Sequence, residues 1–248
     1  MGCGTPVVNG NTAQLLHEHT GTYTAERIGE DPGLFSPPRY YKLSKGVEGA
    51  CVDAVLNFTR DGSAVIFHST RAANLGFQAD PPNDDFLDIY RAPLVNGEPG
   101  PAVNLGAPVN STWLDGEHGL APDGTLYISS DRPDGMGGVD IWASPQEGGG
   151  WGMPVNLGAP VNTIHWEGQP NFSLSDPRTM YFSSNRDGPS AIYRSTWTGT
   201  AWSTPEMVIT GYVGEPALNA AGDILYFVHV LVDDNGVFGS NIWYVRRL

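Results

Sequence analysis

The chain has 248 residues, of which 40% are hydrophobic and only 16% are charged, with 32 glycines and 20 prolines. This balance excludes a disordered chain and is typical of many short strands separated by turns rather than of long helices. The formal net charge is −14 with only 13 Lys and Arg residues, which argues against nucleic acid and anionic membrane surfaces as partners. The longest apolar run, residues 224–232, is too short to span a bilayer.

The chain starts Met1-Gly2-Cys3-Gly4. A cysteine in this position is typical of a bacterial lipoprotein from its lipidated cysteine onward, which predicts a periplasmic or extracellular protein with a lipid anchor at Cys3. No basic segment followed by an apolar one is present, so we expect no signal peptide within the chain. Two alternatives stay open for the thiols: a disulfide between Cys3 and Cys51, since each precedes a predicted inner strand, or two free cysteines.

Two segments of the chain, residues 100–135 and 151–187, are copies of one motif. They share Val-Asn-Leu-Gly-Ala-Pro-Val-Asn, a spacer with tryptophan, a short strand, a turn, an aromatic strand and Ser-Ser-x-Arg. Weaker copies lie at residues 55–71 and 216–229. A repeat of roughly 50 residues indicates a chain built from similar structural units.

Each copy predicts four antiparallel strands, which in the third copy are residues 170–174, 180–184, 191–197 and 202–209. Four such strands per repeat make a blade of a β-propeller. The predicted blades, within a single domain over residues 1–248, are 5–46, 47–110, 111–163, 164–211 and 212–248. The fold class is therefore all-β, with five blades favoured. The alternative is four blades, with residues 34–43 crossing over to close the ring.

Residues 120–158 resemble the TolB-type, WD40-like repeat of bacterial envelope propellers, which is marked by Pro-Asp-Gly, an aromatic strand, Ser-Ser-x-Arg and Asp-Ile-Tyr/Trp. The similarity is good over residues 169–208 and looser elsewhere, and the last copy lacks Ser-Ser-x-Arg. The resemblance implies a β-propeller outside the cytoplasm that recognises a partner through its loops.

In a propeller, the loop that leads into each inner strand and the loop between the second and third strands open on one face, here named the upper face. Binding residues are often carried by such loops on a rigid scaffold. The candidate catalytic residues on this face are Asp115, Glu117, Glu167 and Glu215. The candidate ligand-binding residues are Trp113, His118, His165, Trp166, Gln169 and Tyr212.

Three chemistries fit these residue types. Tryptophan beside carboxylates favours sugar binding, paired carboxylates could cleave glycosides as acid and base, and crowded acids could recruit Ca²⁺ or another divalent cation. The competing interpretation of each acid is structural, as an acceptor for neighbouring backbone amides. A long insertion, residues 72–87, adds Asp80, Asp84 and Asp85 to the same face but lacks the spacing of a known calcium loop.

The charged residues that recur from one repeat to the next indicate a structural role rather than a catalytic one. Arginine recurs at one repeat position, as Arg71, Arg132 and Arg186, and aspartate recurs at another, as Asp88 and Asp140. We predict that these arginines and aspartates pair within a blade.

Three functions follow as hypotheses. The first is a monomeric recognition module that binds a glycan or an envelope protein at the upper face. The second is a carbohydrate-active enzyme, either a glycoside hydrolase or a polysaccharide lyase. The third is a structural spacer of an envelope protein.

Overall fold

The computed structural model describes residues 23–24, 29–30, 36, 39–40, 53–71, 74–75, 87–233 and 236–246. Within this part of the chain all regular structure is β-strand, so the predicted all-β class is confirmed. The described residues contain no apolar helix long enough to cross a membrane. Cys3, Cys51 and the acids Asp80, Asp84 and Asp85 lie outside the described residues, and their proposed roles stay predictions.

The chain divides into two compact units, Met1–Gly116 and Glu117–Leu248. The prediction of a single domain over residues 1–248 stays a prediction. The strands of the first unit are β1 (Tyr23–Thr24), β2 (Arg39–Tyr40), β3 (Asp53–Phe58), β4 (Ala64–Ser69), β5 (Asp88–Val95), β6 (Glu98–Pro99) and β7 (Val103–Asn104). Strands β3, β4 and β5 pair antiparallel in that order and β7 pairs with β5, which makes a four-stranded sheet named blade A.

Blade B contains β8 (Asp115–Leu120), β9 (Leu126–Ser130), β10 (Asp140–Ser144) and, after the small hairpin of β11 (Gln146–Glu147) and β12 (Gly150–Trp151), β13 (Val155–Asn156). Blade C contains β14 (Glu167–Phe172), β15 (Thr179–Ser184), β16 (Ala191–Thr196) and β17 (Glu206–Ile209). Blade D contains β18 (Val213–Leu218), β19 (Ile224–Asp233) and β20 (Gly236–Arg246).

These sheets are blades of a β-propeller, as the repeat predicts. Each begins with an inner strand, and the chain then passes outward through antiparallel neighbours. Four blades lie in the described residues. The predicted first repeat, 5–46, contributes to them only the antiparallel pair of β1 and β2, and the choice between five blades and four stays a prediction.

The core of the second unit lies between successive blades. Met180 and Phe182 on one face of β15 pack with Ile141 of blade B, whereas Tyr181 on the other face packs with Phe227 of blade D. Alternate residues of a strand point to opposite faces, so a middle strand of a blade supplies apolar side chains to two interfaces. The aromatic residues of the repeat are needed for this packing.

The repeated Val-Asn-Leu-Gly-Ala-Pro-Val-Asn motif fastens the outer strand of blade B. Asn156 Nδ2 donates to Asp140 Oδ2 over 2.9 Å, and the side chain of Asn162 bonds both the N–H and the C=O of Ile141, at 3.0 and 2.9 Å. The same contacts recur in blade A, where Asn104 donates to Asp88 and the side chain of Asn110 bonds the N–H and the C=O of Ile89. Blade C lacks the motif and has Ala191 where blade B has Asp140.

Two of the recurrent arginines, Arg71 and Arg186, bind other acids than the aspartates we expected. Arg71 Nη2 lies 3.1 Å from Asp53 Oδ1, and Arg186 Nη2 lies 3.4 Å from Glu167 Oε1. Both acids start an inner strand. The predicted pairing of these arginines with Asp88 and Asp140 is therefore wrong, because those aspartates accept hydrogen bonds from the outer-strand asparagines.

Candidate functional site

The four inner strands share a distorted start. The third residue of each strand has a positive φ, and in β3, β14 and β18 the pairing with the next strand shifts register at this point. A bulge of this kind turns a side chain out of its regular direction. We name the third position the bulge position; it holds Val55 (φ 51°), Glu117 (φ 37°), Gln169 (φ 58°) and Glu215 (φ 53°).

The acids at the first position of the inner strands bond to the protein itself. Asp115 is fully buried, and its Oδ2 accepts hydrogen bonds from the N–H and the hydroxyl of Ser111, at 2.5 and 2.6 Å. Glu167 is also fully buried; its Oε2 accepts from the N–H of Thr163 (2.6 Å), and its Oε1 accepts from the hydroxyls of Thr163 (2.8 Å) and Ser184 (2.7 Å). These acids hold the lead-in loops in place, which leaves them out of reach of a ligand.

The side chain of Gln169 links the bulge-position residues of blades B, C and D. Gln169 Nε2 donates to Glu117 Oε1 over 3.1 Å, and the backbone N–H of Glu215 donates to Gln169 Oε1 over 2.8 Å. We name these three residues the bulge row. All of it lies in the second unit.

The two carboxyl groups of the bulge row hold their protons more tightly than usual. Desolvation raises the pKa of Glu117; the hydrogen bond from Gln169 opposes this effect and the negative charge of Glu215 adds to it. Desolvation of its carboxyl group also raises the pKa of Glu215, although the residue as a whole is exposed. Two carboxyl groups near enough to repel each other are well suited to hydroxyl donors or to a positive charge.

A serine that we did not single out in the sequence, Ser129, holds the backbone of two residues of the bulge row. Ser129 Oγ donates to the carbonyl of Glu117 over 2.8 Å and accepts from the backbone N–H of Gln169 over 3.0 Å. It is the first serine of Ser-Ser-x-Arg, so the repeat contained the signal. Ser183 occupies the same position in blade C.

Two aromatic residues lie near the row in the sequence, each three positions before one of its members. Tyr212 is 47% exposed and has a φ of 51°, which is rare for a bulky residue. Trp166 is half-buried, and its ring lies over Gly168, where a Cβ would approach its Cζ2 to 3.0 Å. Asn185 fixes this tryptophan by accepting its backbone N–H over 2.9 Å.

The remaining predicted ligand-binding residues are placed differently. His118 is buried within β8, and His165 is exposed in the loop before β14. Trp113 is exposed and belongs to the first unit. In the part of the chain that the structure describes, no three His, Cys, Asp or Glu side chains form a metal-binding group; the proposed Ca²⁺ or other divalent cation stays a prediction.

Comparison with known proteins supports the fold. No family model matches the chain. TolB from Acinetobacter baumannii superposes with a TM-score of 0.53 at 14% identity, over 85% of this chain and 46% of TolB. A protein of unknown function from Dyadobacter fermentans gives 0.48 at 10% identity, over 94% and 70%.

One similar sequence is an uncharacterised protein of Agrobacterium fabrum. It is 28% identical over 180 residues, which are 56% of this chain and 58% of that protein. The chain thus spans less than two thirds of the length of this relative and about half of TolB. The similarity to TolB supports the propeller fold.

Proposed function

We propose that this chain is a recognition module that binds carbohydrate at the bulge row, with Tyr212 and Trp166 as ring contacts. The observation that carries the proposal is a difference between two positions of the inner strands, the first position and the bulge position. Acids that the fold needs are buried at the first position, whereas Glu117, Gln169 and Glu215 occupy a strained bulge position and are linked through the side chain of Gln169.

Carbohydrate suits this set of groups. Carboxylates and a carboxamide accept hydrogen bonds from sugar hydroxyls, and the carboxamide N–H₂ can also donate. Aromatic rings stack on the apolar faces of sugar rings, and they contribute large contact areas with few rotatable bonds. An envelope protein that presents hydroxyl or basic side chains is the competing occupant of the same surface.

A second candidate function, glycoside cleavage, is favoured by one observation. The raised pKa of Glu117 suits a general acid, and the neighbouring carboxylate of Glu215 would serve as its partner. We retain a glycoside hydrolase or lyase as this alternative. In either case we place the protein outside the cytoplasm, which the resemblance of its repeats to envelope propellers supports.

The test is a glycan array combined with a hydrolysis assay on the full chain. Glu117→Gln, Glu215→Gln and Tyr212→Ala should each weaken binding of the recognised glycan by about tenfold, the effect of losing one charge-assisted hydrogen bond or a ring contact. Glu147→Gln, at an exposed glutamate of the β11–β12 hairpin, is the matched control and should bind normally.

Two results would reject the proposal: a wild-type protein that binds no glycan on the array, or row variants that bind like wild type. Release of reducing ends by wild type but not by Glu117→Gln would establish the enzymatic alternative instead.

A further inference from the structure

Ser129 and Ser183 occupy the same repeat position, on the second strands of blades B and C, but they differ in hydrogen bonding. Ser129 Oγ makes two bonds: it donates to the carbonyl of Glu117 and accepts the backbone N–H of Gln169, the bulge residue of the next blade. By the repeat, Ser183 Oγ should accept the backbone N–H of Glu215.

That expected bond is replaced by another. The N–H of Glu215 donates to Gln169 Oε1 over 2.8 Å. Ser183 is fully buried, and among the described residues its Oγ has no hydrogen-bond partner. Both oxygens lie beside Gly214, because a Cβ at that glycine would be 2.8 Å from Gln169 Oε1 and 3.4 Å from Ser183 Oγ.

We propose that Gln169 has two side-chain positions and that Ser183 is the positioning residue that makes the second one accessible. In the first position, seen here, the carboxamide of Gln169 bridges Glu117 and the N–H of Glu215. In the second it turns outward to a ligand, and the N–H of Glu215 donates to Ser183 Oγ, as the N–H of Gln169 donates to Ser129 Oγ one blade earlier. The outward position rests on the carbohydrate binding proposed above.

The reason is the cost of an unpaired amide. Turning Gln169 outward removes the acceptor of the Glu215 N–H, and the loss of a hydrogen bond from this amide is unfavourable. Ser183 Oγ supplies a replacement acceptor at that point. The same exchange gives the buried Ser183 oxygen a donor. It replaces one of the two hydrogen bonds that the carboxamide loses, and the other, to Glu117 Oε1, is left for the ligand to replace.

The first test needs no ligand. Gln169→Ala removes the carboxamide, so the N–H of Glu215 should then bond to Ser183. Adding Ser183→Ala in this background should lower the Tm by about 2–4 °C and abolish hydrogen-exchange protection of the Glu215 amide. Ser183→Ala alone should change neither. Ser129→Ala is the matched control and should lower the Tm in both backgrounds, since both its bonds are to backbone groups.

Equal effects of Ser183→Ala in the two backgrounds would overturn the alternate-acceptor role. The second test measures affinity for a glycan that wild type binds, and Ser183→Ala should weaken it about fivefold to tenfold without lowering the Tm. An unchanged affinity would overturn the role of Ser183 in binding and leave the proposed function intact. If wild type binds no glycan, the proposed function fails, while the comparison of the two backgrounds still decides whether Ser183 is the alternate acceptor.

Discussion

A bulky residue at positive φ costs about 1–3 kcal/mol of backbone energy, and this chain contains such residues at Glu117, Glu215 and Tyr212. Glycine would avoid the cost, yet the bulge positions hold Val55, Glu117, Gln169 and Glu215. We therefore infer that the side chains of the bulge row have a role in what they contact. This is the physical reason for placing the proposed binding site there.

Asp88 predicts a pH-dependent contribution to stability. It is fully buried; its Oδ2 accepts hydrogen bonds from Leu75 N–H (2.8 Å) and Asn104 Nδ2 (2.6 Å), and its Oδ1 has no hydrogen-bond partner within the described residues. Burial raises the pKa of Asp88 to about 6 from 3.8, opposed by these hydrogen bonds and increased by the charge of Asp115. The folded protein therefore binds this proton more tightly than the unfolded chain.

A folded pKa above the unfolded one means that the stability is fully present below the unfolded pKa of 3.8 and is lost as the pH rises through about 6. Asp88→Asn imitates the neutral acid. Its Tm should be close to that of wild type at about pH 4 and higher than wild type at about pH 8, as measured by thermal unfolding. Asp134→Asn, at an exposed acid, should keep a constant difference from wild type. A constant difference for Asp88→Asn as well would contradict the prediction.

At the residue scale, the sequence predicted which loops carry acids but not which acids point to a ligand. Asp115 and Glu117 are two residues apart, and in a regular strand they would face the same way. The bulge separates them: one turns into the protein and the other into the row. Bulge geometry depends on the packing of neighbouring strands, so the spacing alone could not distinguish the buried acid from the acid of the bulge row.

At the scale of elements, one blade differs from the others. Strand β20 has no outer neighbour among the described residues. The isoleucine of the third strand is fully buried in the other blades, at Ile89, Ile141 and Ile192, whereas Ile242 is 77% exposed. The side chain is the same, but Ile192 packs against Val213, Leu225 and Phe227 of the following blade. The burial of this isoleucine therefore reports whether a neighbouring blade covers it.

This comparison gives a prediction with a built-in control. Ile192→Ala should lower the free energy of unfolding by about 2–4 kcal/mol, because it opens a cavity between blades C and D. Ile242→Ala should lower it by less than about 0.5 kcal/mol, as expected for an exposed side chain. Urea denaturation measures both. A loss at Ile242 equal to that at Ile192 would mean that strand β20 is covered in solution.

Element boundaries were predictable only where the strands are regular. The sequence placed the second strand of blade C at residues 180–184, and it is found at Thr179–Ser184. It placed the inner strand at 170–174, whereas β14 is Glu167–Phe172. Gly168 and Pro170 weaken the strand signal there, and the register shift between Gly168 and Asn171 is what accommodates them.

At the scale of the whole molecule, the net charge of −14 bears on the choice of ligand. Two of the few cations are already engaged within the fold, since Arg71 and Arg186 bond to inner-strand acids. The surface is correspondingly poor in positive charge. The field of such a molecule lowers the local concentration of anionic ligands and leaves neutral ones unaffected.

We therefore expect the site to prefer neutral oligosaccharides over their uronate-containing counterparts. The carboxylates of Glu117 and Glu215 act at short range and the net charge at long range, so the preference should be about tenfold at low salt and should shrink as ionic strength approaches about 1 M. Calorimetric titration of a matched neutral and acidic pair on the full chain measures it. The double variant Glu117→Gln, Glu215→Gln should narrow the preference at low salt, since it removes the short-range repulsion and keeps most of the net charge. Tighter binding of the uronate by wild type would mean that these two carboxylates do not face the ligand.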